Sequence, residues 1–346
     1  MRVLVYEWCS SGGLTGPDAA RLVPRSAAAA DLEPLAREGR AMFLALLHDG
    51  CRDHRLQLHA VVDEHRPLPL PEGVRRIDVP PAAELDRLVH AAHGCEAAVI
   101  VAPETGGILA RRVAAVRAGG VDVIAPGPRF LELAADKQAT ILALAAAGVP
   151  VPAGRRLEAG TPWPAAFVRP AVAKRLDGVG CDGLAFVDHD GPLPAAAGQP
   201  RRIEAAFHGV PVGVSCIASC GRTEFLPAMS QRFSGGASPG YSGGEPVVEE
   251  ALRQRALELA ARSVAALARA AGEEARGWLG VDMILGPRED GRSDRVLEVN
   301  PRLTTSFLGH AAAAGTSLLS RILTRQPAAT IHPEPRSFDL VAHAPA

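Results

Sequence analysis

The chain has 346 residues, of which 47% are hydrophobic and 22% are charged, as in an ordinary globular protein. These proportions exclude a disordered or fibrous chain, and the length predicts two or three packed lobes rather than one hydrophobic core. The 37 lysine and arginine residues nearly balance 38 aspartate and glutamate residues, so the formal net charge is -1. This balance argues against nucleic acid or an anionic membrane as a partner and favours small-molecule substrates.

The cysteines and the apolar segments bear on the compartment. The six cysteines form no CxxC pair, so we expect free thiols rather than a disulfide framework. The apolar start at residues 2–6 is too short for a signal peptide, and no apolar run approaches the roughly 20 residues that span a bilayer. We therefore expect a cytoplasmic protein. The number of subunits stays open, with a homodimer among the options.

The first 130 residues alternate apolar segments of strand length with segments of helical periodicity. Apolar residues at Met42, Leu46 and Leu47 share one helical face and predict a helix. Short buried strands are predicted around it at Arg2–Tyr6, Leu56–Val62, Ala97–Val101 and Val121–Ile124. Strands that alternate with helices predict a doubly wound parallel sheet, so residues 1–130 are expected to form an N-terminal α/β domain.

The next region, residues 131–205, is predicted to form a small β-rich lobe. A helix from Phe130 to Ala147 leads into it and ends at Gly148 and the proline-containing segment that follows. Strands are predicted at Phe167–Val168, Val172–Lys174 and Leu184–Val187. A turn-rich loop over 177–183 separates the last two of these strands.

Residues 206–330 are predicted to form a larger lobe that mixes strands and helices. A strand pair, a long helix and two further strands are predicted at Arg202–Phe207, Val210–Ala218, Val248–Ala271, Gly280–Leu285 and Val296–Asn300. The glycine-rich stretch 234–244 cannot pack a core, so it is either a mobile lid or a surface loop. Residues 331–346 are expected to form a loose tail.

The strongest chemical signal is a pair of strand-like segments that carry carboxylates. Glu298 and Asn300 are two residues apart, so they project from the same face of one strand. On a hairpin, Asp282 would face Glu298 across the ladder. Carboxylates on apolar strands are costly unless they are compensated, and Mg²⁺ shared with phosphate oxygens compensates them. These three residues are predicted metal ligands; the alternative is an ordinary, partly exposed hairpin.

Two lysines precede this cluster and are candidates for binding phosphate. Lys137 lies near the helix between the lobes, and Lys174 ends a predicted strand. The loop after Lys174 carries Gly178, Gly180 and Gly183, whose backbone N–H groups could close over the β- and γ-phosphates. No GxxxxGK[ST] motif occurs in the chain. The alternative is a hairpin turn beside a surface lysine.

In this order along the chain, the motifs resemble those of the ATP-grasp superfamily over about residues 125–325. The matching residues are Asp136-Lys137, Gly148-Val149-Pro150-Val151-Pro152, Val172-Ala173-Lys174, the glycine loop, Glu204, Asp282 and Glu298-Val299-Asn300-Pro301-Arg302. The resemblance implies a fold that combines α/β and α+β parts. In that fold, an N-terminal pre-ATP-grasp domain precedes two lobes that grip ATP.

The resemblance also implies roles for these residues. The two lysines would contact the phosphates of ATP, and the three metal ligands would hold two Mg²⁺ ions, for which Mn²⁺ could substitute. Glu204 would mark the start of the linker that contacts the adenine. Val210 and Pro211 stand where many members carry an acidic ribose-binding residue, so the ribose contact stays open. Gly280 stands where D-alanine–D-alanine ligases usually carry an arginine, which disfavours that specificity.

Three segments are similar to the ligases that join L-glutamate to tyramine in methanofuran biosynthesis: 5–13, 102–107 and 174–181. The similarity implies that ATP phosphorylates the γ-carboxylate of L-glutamate. The amine of tyramine would then displace the phosphate to give γ-glutamyltyramine, ADP and phosphate. Alternatives are another amino-acid or peptide ligase, a carboxylase and a non-catalytic nucleotide-binding sensor.

Two arginines are candidates for binding the substrate. Arg302, next to the metal strand, could bind a carboxylate or an acyl phosphate bidentately and act with Lys174 in catalysis; the alternative is a surface salt bridge. Arg232, just before the glycine-rich stretch, is the second candidate. No histidine lies inside a motif, so no general base is assigned.

Overall fold

The N-terminal region forms an all-parallel sheet. A computed structural model of the chain describes residues 1–22, 32–179, 183–195, 198–233, 240–324 and 333–340. The strands of the sheet are β1 (Arg2–Glu7), β2 (Gln57–Asp63), β3 (Arg75–Val79), β4 (Ala97–Val101) and β5 (Asp122–Val123). They lie in the order β3-β2-β1-β4-β5, which confirms the predicted doubly wound sheet. β3 is not among the predicted strands, because it is an edge strand whose residues are mostly polar.

Helices cover both faces of this sheet. They are α1 (Glu33–Cys51), α2 (Glu84–Ala92) and α3 (Ile108–Ala118), with short 3₁₀ turns at Pro17–Arg21, Pro81–Ala83 and Thr105–Gly107. Val3 and Val5 of β1 share a core with α1, whereas the alternate residues Leu4 and Tyr6 share a core with α2 and α3. β1 is therefore buried on both faces, which explains its continuously apolar sequence.

The helix predicted from Phe130 to Ala147 is in fact two helices, α4 (Pro128–Ala135) and α5 (Lys137–Ala146). Between them, Asp136 has an extended backbone, and its side chain accepts hydrogen bonds from two N–H groups of the next turn. A carboxylate in this position starts a new helix because it satisfies donors that have no intrahelical partner. The break places Lys137 in the first turn of α5.

The small lobe is an antiparallel sheet of four strands. They are β6 (Gly154–Leu157), β7 (Ala171–Arg175), β8 (Ala185–Val187) and β9 (Arg201–Ala205), in the order β6-β9-β7-β8. The predicted strand at Phe167–Val168 is wrong. A turn brings the Phe167 N–H to the Pro164 carbonyl oxygen, and Val168 is 60% exposed.

The large lobe is built on a second antiparallel sheet. Its strands are β10 (Val210–Ser219), β11 (Arg222–Phe225), β12 (Met229–Phe233), β13 (Tyr241–Pro246), β14 (Gly277–Leu285), β15 (Arg295–Asn300) and β16 (Phe338–Asp339). The main order is β15-β14-β10-β12-β13-β16, and β11 pairs with β10. Helix α6 (Glu250–Ala271) packs against this sheet together with α4 and α5.

The predicted pairing of the strands on either side of residues 206–209 differs from this arrangement. β9 and β10 do not form the predicted pair, because β9 belongs to the small lobe and β10 to the large one. The residues 206–209 instead cross between the lobes. A Cβ atom at Gly209 would lie 2.3 Å from the Leu285 carbonyl oxygen, so this crossing packs too closely for a side chain.

The expected loose tail is wrong for the described residues 333–340. Phe338 and Asp339 form β16, which pairs with β13 at the edge of the large sheet. Leu340 is 1% exposed and packs in the same core as α1. The composition of the segment is rich in proline and alanine, but a few apolar residues are enough to attach it.

The N-terminal domain and the large lobe share one hydrophobic core. Helices α7 (Phe307–Ala313) and α8 (Leu318–Leu323) follow the large sheet and pack against α1. The Asp49 carboxylate of α1 accepts hydrogen bonds from the Ser317 hydroxyl and the Leu319 N–H, which begin α8. The two regions therefore form one body, and the position of α1 relative to β14 and β15 is set by packing.

No described helix is both long enough and apolar enough to span a bilayer. The cysteines that the structure describes are free thiols, as the sequence predicts.

We expect Phe307→Ala to lower the free energy of unfolding by about 3–5 kcal/mol, because it opens a cavity in the shared core. Phe307 is fully buried, and its ring centroid lies 5.3 Å from that of Trp278. Urea denaturation monitored by tryptophan fluorescence measures the change. Leu142→Ala, at a position that is 59% exposed on α5, is the control and should shift the free energy by less than about 0.5 kcal/mol. Equal shifts in both variants would contradict the shared core.

Candidate active site

A cavity of about 200 Å³ lies where the three parts of the molecule meet. Lys174 lines it from the small lobe, and Lys137 from α5, which packs against the large sheet. Asp282 and Glu298 line it from the large sheet, and Glu38 from α1. The cavity is therefore a cleft between lobes, the usual position of a small-molecule site.

Two carboxylates face each other on the floor of this cavity. Asp282 of β14 is the cross-strand partner of Glu298 of β15, and Asn300 is the partner of Gly280. The Asn300 Nδ2 donates a 2.8 Å hydrogen bond to Asp282 Oδ2, and Gln231 Nε2 donates one of 2.8 Å to Asp282 Oδ1. The hairpin thus brings the three predicted metal ligands together, as the spacing and the ladder require.

The negative charge of the Asp282 and Glu298 pair is only partly compensated by nearby lysines. Burial and the negative charge of Glu298 raise the pKa of Asp282 well above its usual value. Burial acts on Glu298 in the same way, but the neighbouring Lys137 and Lys174 outweigh it and lower the pKa of Glu298. The two lysines therefore compensate Glu298. Among the described residues, Asp282 has no lysine or arginine in contact; it accepts from two amide groups and shares a hydrogen bond with Glu298.

This donor set fits a hard divalent cation. Two carboxylates and one amide side chain are oxygen donors that Mg²⁺ and Mn²⁺ accept, with phosphate oxygens and water completing the shell. Within the described ranges, no group of three or more His, Cys, Asp or Glu side chains is arranged to hold a metal ion. The oxygen of Asn300 and a bound phosphate would thus be needed to complete the site.

The two candidate phosphate lysines point into the cavity and are held by carboxylates. Lys137 Nζ lies 2.8 Å from Glu298 Oε2 and donates a 2.6 Å hydrogen bond to the Gly178 carbonyl oxygen. Lys174 Nζ lies 2.6 Å from Glu204 Oε1. Burial disfavours the charged form of Lys137, but the Glu298 carboxylate outweighs burial and raises its pKa. Lys137 therefore carries its positive charge beside the acidic hairpin.

Glu204 is part of a buried ion cluster rather than of the cavity wall. It is 4% exposed on β9 and accepts from Lys174 and from Arg202 Nε, at 2.8 Å. Arg202 also donates to Gln138 Oε1 at 2.5 Å and to the Pro152 carbonyl oxygen at 2.8 Å. Arg202 is not among the predicted site residues, because an arginine on a short strand is usually exposed.

The glycine loop is only partly described. Gly178 lines the cavity, Gly183 does not, and Gly180 lies outside the described residues. At the start of the loop, the Asp177 carboxylate accepts a 2.8 Å hydrogen bond from the Gly106 N–H of the N-terminal domain. The Thr105 hydroxyl donates to the Asp177 carbonyl oxygen at 2.6 Å. The described part of the flap is therefore docked on the N-terminal domain.

The predicted lid over 234–244 divides into two parts. Residues 234–239 lie outside the described residues, whereas Tyr241 to Gly244 belong to strand β13. Tyr241 lines the cavity. The second half of this glycine-rich stretch is thus part of the sheet, because its backbone pairs with β12 on one side and β16 on the other.

The two candidate arginines have different positions. Arg302 lines the cavity, and its Nε lies 3.0 Å from Oε1 of Glu104, at the carboxyl end of the parallel sheet. Arg232 does not line the cavity; it pairs with Glu245 at 2.9 Å and also contacts Asp339. Its neighbour Gln231 lines the cavity instead, because successive residues of a strand point to opposite faces.

A cluster of hydroxyl groups that the sequence analysis did not single out forms another wall of the cavity. Ser215 Oγ lies 2.7 Å from Ser306 Oγ and 3.2 Å from Thr304 Oγ1, and Trp278 Nε1 donates to Thr304 Oγ1 at 3.1 Å. A Cβ atom at Gly280 would lie 2.5 Å from Thr304 Cγ2. Gly280, at the position where D-alanine–D-alanine ligases usually carry an arginine, thus leaves room for this cluster. The Thr304-Thr305-Ser306 run after Arg302 is the signal that could have found it.

Comparison with protein families matches the ATP-grasp domain to residues 134–306 and the pre ATP-grasp 3 domain to residues 56–129. The chain belongs to the ATP-grasp family. The first match contains both lysines, Glu204 and the three predicted metal ligands of this ATP-grasp chain. A comparison with curated proteins gives no significant match.

Solved structures share the whole ATP-grasp architecture. An ATP-grasp superfamily protein from Archaeoglobus fulgidus has a TM-score of 0.68 at 16% identity, and the match covers 98% of this chain and 99% of that one. L-amino acid ligase from Bacillus licheniformis has a TM-score of 0.62 at 14% identity, over 93% and 73% of the two chains. D-alanine–D-alanine ligase from Bacillus anthracis has a TM-score of 0.57 at 17% identity, over 93% and 95%. These likenesses establish the fold.

We expect Arg202→Met to lower the free energy of unfolding by about 3–5 kcal/mol, since it removes one partner of a buried ion cluster. Arg202 is 1% exposed, and its loss leaves Glu204 with Lys174 alone. Chemical denaturation measures the change. Arg156→Met is the matched control, because Arg156 on β6 pairs at the same two-residue spacing with Glu158, which directly follows this strand of the same sheet, and both side chains are exposed. Arg156→Met should have little effect, and a comparable loss in the two variants would contradict this prediction.

Proposed function

We propose that the protein is an ATP-dependent carboxylate–amine ligase that acts through an acyl phosphate. The observation that supports this most is the arrangement of charges in one cavity. Lys137 and Lys174 face the Asp282, Glu298 and Asn300 cluster, and the cavity that holds them also contains Arg302. A triphosphate needs cations on one side and metal ligands on the other, and a carboxylate substrate needs a cation beside the γ-phosphate.

The roles follow from the charges. Asp282, Glu298 and Asn300 would hold Mg²⁺, which when bound neutralises the charge that repels an anionic carboxylate from the triphosphate. Lys137 now contacts Glu298; with a nucleotide present, its ammonium would be shared between that carboxylate and a phosphate oxygen. Lys174 would act in the same way from β7. The Gly178 backbone, which Lys137 already contacts, would cover the phosphates.

Arg302 would bind the carboxylate that becomes phosphorylated. Its guanidinium is held by Glu104 on one side and lines the cavity on the other. A planar guanidinium can contact two oxygens of a carboxylate or an acyl phosphate at once. The Ser215, Thr304 and Ser306 hydroxyls line the same cavity and would add neutral donors.

We propose L-glutamate as the acid, through its γ-carboxylate, and tyramine as the amine. This part rests on the three segments that resemble tyramine–L-glutamate ligases. Two of them meet at the carboxyl ends of β1 and β4, where Glu104 contacts Arg302 and Glu7 accepts from the Cys9 and Ser10 N–H groups. The cytoplasm stays the expected compartment and a homodimer one option for the assembly, and Glu204 would begin the linker that contacts the adenine.

Glu298→Gln should reduce the rate of phosphate release from Mg-ATP by roughly 100-fold or more, because it removes a charged ligand of the metal and the partner of Lys137. A coupled assay with glutamate and tyramine measures the rate. Glu245→Gln, which changes a half-exposed partner of Arg232 on the same lobe, is the control and should retain the rate. Full activity of the Glu298 variant would exclude the proposed metal site.

Incubation with Mg-ATP, L-glutamate and tyramine should give a product with the mass of γ-glutamyltyramine, together with one ADP per product. Phosphate release should require both substrates, since water is excluded from a closed cleft. Mass spectrometry of the mixture identifies the product, and reactions with other amino acids and amines test the specificity. If product forms only from other pairs of acid and amine, the ligase function would be supported, but glutamate and tyramine would be rejected as its substrates.

A further inference from the structure

Glu38 of helix α1 is the one carboxylate of the N-terminal domain that lines the cavity, counted among the described residues. Within the described part of the chain, no group donates a hydrogen bond to its side chain or forms an ion pair with it. The other two cavity carboxylates are engaged, Asp282 by amide donors and Glu298 by Lys137. The Glu38 carboxylate is thus directed to the cavity without a protein partner.

The charges that act on Glu38 include that of Arg302, the residue proposed to bind the carboxylate substrate. Burial raises the pKa of Glu38 to about 7, although the guanidinium groups of Arg302 and Arg37 oppose this rise. The negative charge of Glu38 in turn raises the pKa of Tyr241 of β13 and of Cys9, which follows β1. The two phosphate lysines are not among the charges that act on Glu38. Glu38 and Arg302 thus line the same cavity, and the charge of Arg302 acts on Glu38.

A ligase of this kind must solve a protonation problem. Its amine substrate is an ammonium ion near neutral pH and has no free electron pair for attack on an acyl phosphate. A group that first attracts the cation and then takes its proton removes both obstacles. A partly buried carboxylate with no protein cation in contact, and with a pKa near the working pH, is suited to this task.

We propose that Glu38 binds the ammonium group of the second substrate and accepts its proton, which generates the nucleophile beside the acyl phosphate at Arg302. This inference rests on the proposed ligase function. The ammonium group gives one proton to the carboxylate and becomes a neutral amine. The lone pair of the amine forms the C–N bond, the carbonyl C–O bond to phosphate breaks, and the phosphate leaves with the bonding electrons of that C–O bond. The second proton of the nitrogen leaves with the phosphate.

The test separates the two halves of the reaction. Hydroxylamine is unprotonated at neutral pH, so it traps an acyl phosphate as a hydroxamate without a cation site or a proton acceptor. We expect Glu38→Gln to lower kcat/KM for tyramine by roughly 100-fold and to leave hydroxamate formation from glutamate and Mg-ATP unchanged. Glu38→Asp should recover part of the tyramine activity. Glu33→Gln, an exposed position on the same helix, is the control and should behave like the wild type.

The pH dependence gives a second readout. Protonation of Glu38 removes both its charge and its ability to accept a proton, so kcat/KM for the amine should fall as the pH falls below about 7. Titration of Asp282 affects the tyramine and hydroxylamine reactions alike, so the part of the acid limb that is specific to tyramine should be lost in Glu38→Gln.

Other outcomes reject the inference or its basis. Wild-type tyramine turnover in Glu38→Gln, or an equal loss of both reactions, would overturn the role of Glu38, the second result indicating a structural effect. Failure of the wild type to form any hydroxamate would instead reject the proposed function. The two failures are therefore distinguishable.

Discussion

The electrostatic cost of two buried carboxylates on neighbouring strands is the constraint on which the rest of the cleft depends. Asp282 and Glu298 face each other across the β14–β15 ladder inside a cleft, where burial makes their charges costly and their mutual repulsion adds to the cost. Lys137, from the first turn of α5, compensates one of them. The compensating ammonium belongs to a different element from the carboxylates, so the charge pair also connects the part that precedes the small lobe to the large sheet.

The remaining parts of the cleft are positioned by packing rather than by charge. The core shared by α1, α7 and α8 holds the N-terminal domain against the large lobe, and through it Glu38 and Glu104 reach the neighbourhood of Arg302. The N-terminal domain thus contributes directly to the cavity. Under the proposed function, such a division would suit a two-step reaction, because the phosphates and the amine would be bound by residues of different domains.

Arg232 and Asp136 show which features a hydrophobic pattern does not predict. Arg232 was a reasonable substrate-binding candidate by residue type, yet the alternation of β12 directs Gln231 to the cavity and Arg232 to Glu245. Likewise, the apolar periodicity from Phe130 to Ala147 does not reveal that Asp136 ends one helix and caps the next. Hydrogen bonds to backbone and cross-strand partners decide both cases, and neither is visible in a hydrophobic pattern.

The amino-acid sequence alone determined the parallel sheet, the acidic hairpin, the choice of Lys137 and Lys174 as candidates and the family resemblance. Periodicity, turn residues and local spacing are properties of short segments, so they can be recognised without the fold. Tertiary structure alone decided that β9 and β10 belong to different sheets, that residues 338–339 close the large sheet, and that Glu204 is buried with Lys174 and Arg202. It also placed Glu38 in the cleft. These are contacts between residues far apart in the chain, and their formation depends on how whole surfaces pack.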